Sequence, residues 1–145
     1  MLNHHPMFVH FPIALWLVAL LFEAIAVGKS SDDWHRNAVR LLYLGTLAAI
    51  LAVSTGWLAE EAVPETGPAR VVVGIHETMM LITTSVAMGL CLLAFLKRKS
   101  MTGGIQKLLL LGLVVLAVLL TLGSDRGAQL VYQYATSVQL PGPAK

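Results

Sequence analysis

The stretch "HHPMFVHFPIAL", residues 4–15, sets three histidines at the head of an apolar run, and "HE" at 76–77 interrupts another. Neutral imidazole is a common protein ligand for haem iron and for transition metals, so ligation is the chemistry to weigh. A non-covalent haem b in a helical bundle needs two axial ligands from facing helices at matching depth. His10 and His76 are the expected pair, with Met7, Met79 and Met80 as softer alternatives nearby. Glu77 can orient a ligand or meet a propionate through water, and Arg70 or Arg126 can pair with a propionate directly. A bare metal site is the competing reading: His4, His5, His10, His76, Glu77 and Met7 suit copper, with His10 and His76 as its central ligands. His5 and His10 lie five residues apart, about 140° around a helix, so a helical entry keeps them from chelating one ion, whereas an extended entry allows it. The plain alternative is that such histidines only hydrogen-bond across helices. Other chemistries find little support. Cys91 is the sole cysteine, there is no Cys-x-x-Cys-His, and Ser54, Ser85 and Ser124 lack an elbow or triad context.

The elements that must position these residues follow from composition. Of the 145 residues 57% are hydrophobic and only 12% charged, with a mean hydropathy of +0.75. Four runs approach the ~20 residues that cross a bilayer as a helix: 7–28, 39–59, 71–96 and 105–123, with the tail 124–145 left over. A cleaved signal peptide is the alternative for the first run, but no Lys or Arg precedes it. The expected chain is therefore one all-α, integral-membrane four-helix bundle. Its net charge of +2 is too small to suggest nucleic acid.

Charge sets the expected orientation. Lys29, Arg36 and Arg40 lie between runs one and two, and Lys97, Arg98, Lys99 and Lys107 between three and four. The N-terminus has no base, Arg70 stands among Glu60, Glu61 and Glu65, and the tail adds Arg126 and Lys145. Basic loops favour the cytoplasm, so both termini are expected on the extracytoplasmic side of a bacterial inner membrane. On that reading His10 and His76 enter from outside at similar depth, and nearly every polar group with chemistry converges on the outer mouth.

Stripes of small residues suggest how the helices pack. One runs through His76, Met80, Thr83, Ala87, Cys91 and Ala94, another through Gly45, Ala49, Ala52 and Gly56, and the first points His76 into the bundle. Pro12 has no N–H for the carbonyl of Phe8, so the first helix starts near Phe11 or is interrupted there. In the tail, Leu130, Val131, Tyr134 and Val138 share a helical face, which suits a short interfacial segment; the closing Pro-Gly-Pro reads as loop. Glu23 is a proton-relay carboxylate, faces a polar neighbour or reaches for headgroups, His35 reads as solvated, Trp16 and Trp57 as packing or interface residues, and Trp34 as part of an aromatic belt. No internal repeat is evident, although the spans can be arranged as two hairpins.

Several of these pieces together resemble the domain-of-unknown-function 2231 family of small bacterial membrane proteins. They are "HPMFVHFPIAL" opening the first run, "STGWLAEEAVP" closing the second, "HE" in the third and "GAQLVY" after the fourth. The resemblance implies a four-helix membrane bundle and matches the family's motif histidines to His5, His10 and His76. Some members look joined to Rieske-type iron–sulfur modules, which implies redox work. In the family the tail motif continues after "LVY" into a His-Gly pair; this chain instead has Tyr134 and Ala135. The combined expectation is a haem b-binding electron-transfer subunit rather than a stand-alone enzyme. It would exchange electrons with a periplasmic or membrane redox partner, or work as a homo-oligomer. The alternatives are a copper-type binding or transport protein and a non-catalytic anchor of a larger complex.

Overall fold

A computed structural model describes residues 5–60, 63 and 65–136; His4, Glu61, Val138 and the closing Pro-Gly-Pro lie outside them. Five helices follow in order: α1 (His5–Phe8), α2 (His10–Lys29), α3 (Asp32–Glu60), α4 (Pro68–Lys97) and α5 (Gly103–Tyr132). There is no strand among the described residues. The segments His5–Lys29, Asp32–Glu60, Pro68–Lys97 and Gly103–Tyr132 are each long and apolar enough to cross a membrane. The expected all-α membrane bundle is what the chain forms.

Local chemistry explains the helix ends. Pro12 cannot donate to the carbonyl of Phe8, and the helix breaks beside that carbonyl, at Val9, which separates α1 from α2. Ser30 takes a left-handed φ of 49° after α2, and the Ser31 N–H donates to the Ala26 carbonyl at 3.0 Å. Asp32 and Asp33 then open α3, where acids favour the positive end of the helix dipole. That places the start of α3 at residue 32, well ahead of the apolar run beginning at 39. Gly67, at φ 110°, turns the chain into Pro68 on the first turn of α4. Thr102 caps α5 by accepting the Ile105 N–H. Helix α5 continues through Gly123 to Tyr132, so the first part of the expected interfacial tail is its last two turns.

Helix α2 packs on α3 and α4 on α5, and the two hairpins meet along α3–α4 and α2–α5. Across the diagonals, α2 against α4 and α3 against α5, the helix backbones stay apart among the described residues. The bundle is thus square in section, with leucines such as Leu21, Leu44, Leu92 and Leu111 exposed on its outer, lipid-facing surface.

The second hairpin repeats the first at an offset of 71 residues. The buried residues Pro12, Trp16, Ala19 and Glu23 of α2 become, 71 residues on, Thr83, Ala87, Leu90 and Ala94, all buried on α4, while the buried Ala26 becomes the exposed Lys97. Of the buried positions of α3, Ala38, Leu42, Gly45, Ala49 and Ala52 become Leu109, Leu113, Leu116, Leu120 and Gly123 of α5, all buried, and Thr46 becomes the half-buried Ala117. The expectation that the chain has no repeat is therefore corrected. It was hidden because large and small residues trade places within each packing pair. Trp16 lies over Gly45, where an added Cβ would come within 2.6 Å of the indole Cδ1; the matching pair is Ala87 and Leu116. Conversely Leu90 fills the space beside Gly112, and the matching pair is Ala19 and Leu41.

This trade makes a test. Trp16→Ala should leave a cavity costing about 3 kcal/mol or more, and Gly45→Leu should collide with the indole. Combined, they reproduce the Ala87–Leu116 pairing, so thermal unfolding in detergent should show the double variant recovering ~1–3 kcal/mol over the sum of the singles.

Candidate functional site

One end of the bundle gathers α1, the last turns of α3, the first turns of α4 and the last turns of α5. There His5 and His76 face each other, ring centroids 6.5 Å apart and planes at 79°. They come from diagonal corners of the square, α1 continuing into α2 on one side and α4 on the other, and meet near the bundle axis.

Each ring is held by a neighbouring helix in the same way. His5 Nδ1 lies 3.0 Å from the Ala52 carbonyl of α3 and 3.3 Å from Thr55 Oγ1. His76 Nδ1 lies 2.8 Å from the Gly123 carbonyl of α5. A carbonyl only accepts, so Nδ1–H donates in both and the neutral ring carries its lone pair on Nε2. A glycine one turn beyond each carbonyl makes the approach possible. A Cβ on Gly56 would stand 3.2 Å from His5 Cε1, and one on Gly127 would stand 3.0 Å from His76 Cε1. Both hydrogen bonds span 47 residues of chain, so the two docking arrangements are copies under the hairpin repeat.

His10, expected opposite His76, is exposed at the start of α2 and does not line the site. The reason is rotation rather than depth. The buried face of α2 begins at Pro12; seven residues earlier, two helical turns, lies His5, whereas His10 is about 200° from Pro12 around the helix. Depth alone selected His10, and extending the buried stripe back through the proline selects His5.

The other expected residues take up different work. Glu77 accepts from Trp57 Nε1 at 2.7 Å, and Arg70 pairs with Glu60 at 2.7 Å. Both contacts join α4 to α3, so Glu77 and Arg70 pin the two hairpins together at this end. Arg126, beside Gly127, donates to Gln129 at 3.1 Å. Met80 covers Gly123 beneath His76, with Met79 against the same glycine; Met7 is exposed. Tyr134 follows α5, half-buried, and Ala135 takes a left-handed φ of 49°.

A second polar pair lies at the opposite end, where sequence reasoning allowed Glu23 a polar neighbour but did not find His35. Glu23 is fully buried, and both its carboxylate oxygens lie within 3.0 Å of His35 Nδ1. His35, read as solvated, is only 12% exposed. The signal was present in the spacing of Glu23 from Pro12, Trp16 and Ala19, which puts it on the buried face of α2.

The family model for predicted membrane proteins, DUF2231, matches residues 2–140. The chain belongs to that family. Its membership and its four spanning helices make it a multi-pass membrane protein. No curated protein and no solved structure matches it, so the family supplies the membrane setting and the site has to be read from its own geometry.

The tautomer assignment is testable by ¹⁵N NMR on histidine-labelled protein. His5 and His76 should both give Nδ1–H signals of the neutral ring. Gly56→Leu should remove the His5 signal and Gly127→Leu that of His76, each substitution costing the ~1 kcal/mol of one hydrogen bond as well as packing.

Proposed function

We propose that the chain is a haem b-binding electron-transfer subunit in which His5 and His76 would hold the haem iron. The observation that carries this reading is the pair of imidazoles facing across the bundle axis, each anchored through Nδ1 to a backbone carbonyl. The ring centres stand 6.5 Å apart with planes at 79°, a separation at which both imidazoles could hold one iron. A tetrahedral ion would draw two rings closer together and ask for further ligands. No group of three or more His, Cys, Asp or Glu is gathered for an ion among the described residues, whereas a porphyrin brings four nitrogens of its own.

The chain's residues then have distinct duties. The Ala52 and Gly123 carbonyls fix ring orientation and make Nε2 the more basic nitrogen, the usual outer support of a ligating histidine. Gly56 and Gly127 keep side chains away from the rings. Arg126, with no acid among its hydrogen-bond partners in the described residues, is the residue suited to a propionate, since Arg70 is already held by Glu60. Bound haem would supply one-electron iron chemistry at this end of the membrane. The concentration of Lys and Arg at the opposite end favours that end as cytoplasmic, so the histidine end would meet a periplasmic or membrane-borne redox partner.

Oxidised and dithionite-reduced visible spectra of the protein in mild detergent, with metal analysis on the same sample, test this. Reduced α and β bands should be present in the wild type, lost in His5→Ala and in His76→Ala, and retained in His10→Ala. Gly56→Leu should lower haem affinity by ~10–100-fold, as loss of outer support does at other metal centres. Stoichiometric copper without those bands would replace haem with a metal-transport reading. Neither, with the chain co-purifying in a larger assembly, would leave an anchoring role.

A further inference from the structure

We infer that Glu23 and His35 form a proton-binding site loaded from the aqueous cavity at the basic end of the bundle. This is independent of what the two facing histidines hold. Glu23 lies on α2 with no solvent exposure, and His35 Nδ1 approaches its two oxygens at 3.0 and 2.9 Å. His35 also lines a cavity of about 510 Å³ with Ser30, Asp32, Arg36, Arg98 and Gln106. The imidazole therefore stands between a carboxylate sealed in the bundle and water at the membrane edge.

The hairpin repeat shows that the fold does not require this pair. Residue 94, equivalent to Glu23, is Ala94, buried at 2% exposure on α4. Residue 106, equivalent to His35, is Gln106, which lines the same cavity from the other hairpin. An alanine and a glutamine thus satisfy the same two positions in the same architecture. A buried ion pair is seldom worth more than a well-packed apolar substitute and is costly when one partner is lost. A carboxylate kept in one half, where the other half manages without, is there for its charge chemistry.

The step is the transfer of one proton from cavity water to the pair. It takes the pair from one net negative charge to none, with the proton held between the Glu23 oxygens and His35 Nδ1. The charged groups that face the cavity are Asp32 and Arg36 from α3, and Arg98 and Lys99 from the segment after α4. Arg36 is engaged by Asp33, and Arg98 lies over the Phe95 ring. From α5 the cavity is faced by the uncharged Gln106.

Infrared difference spectra of the full chain in nanodiscs, recorded between about pH 4 and about pH 9, provide the test. A carboxylate band and an imidazole ring mode should change together, corresponding to one proton per chain. The carboxylate band should vanish in Glu23→Gln, and both should vanish in the double variant Glu23→Ala/His35→Gln, which copies the second hairpin. That double variant should keep the Nδ1–H signals of His5 and His76, showing that the bundle is intact. Bands that stay fixed in the wild type across the range would reduce the pair to a packing device. A carboxylate band that persists in Glu23→Gln would belong to another carboxylate and equally overturn the assignment.

Discussion

A helix has no backbone acceptor to spare where it is tightly clothed in side chains. Each carbonyl already receives an N–H from one turn ahead, and its second lone pair is reachable only if the residue there leaves it uncovered. An imidazole brought into a membrane bundle must find such an opening or remain unsatisfied. Glycine at 56 and at 127 provides it above Ala52 and Gly123, and the rings of His5 and His76 occupy the two openings. Ring position, tautomer and the direction in which the lone pairs are offered all descend from those two missing side chains.

The same reliance on close approach shapes the rest of the bundle. Lipid tails give helices no hydrophobic reason to associate, so contact depends on fit. The Trp16–Gly45 and Leu90–Gly112 pairs are fits of opposite sense, large against small and then the reverse in the other hairpin. Polar contacts between hairpins are few and specific. Cys91 Sγ donates to Thr46 Oγ1 in mid-bundle, and Trp57–Glu77 and Arg70–Glu60 close the histidine end.

Much of this was legible in the sequence, and the remainder was obscured for definite reasons. Four spans follow from apolar run length, and the inward stripe through His76 from small-residue spacing. The helix ends did not follow, because Asp32 and Asp33 extend α3 beyond its apolar run and Gly123 serves as a docking platform, not a terminus. The histidine pair was half legible: both rings lie at the expected end, but choosing between His5 and His10 needed the buried face of α2, which Pro12 and Trp16 mark only once Gly45 is seen beneath the indole. Duplication was illegible because compensating volume changes erase residue identity while preserving which positions are buried.

That duplication has an architectural consequence. Two separate copies of one hairpin, associating about a twofold axis, would have to present every residue twice. A carboxylate at the position of Glu23 would then be matched by a second across the axis, and its histidine likewise. Joining the copies in one chain releases the halves from that obligation. The histidine end has kept its twofold character, a matched pair of rings on matched platforms, while the basic end has broken it with one buried acid and the imidazole against it. A covalent tandem is what lets a nearly symmetric bundle carry a symmetric feature at one membrane face and an unpaired one at the other, and so gives the molecule a direction.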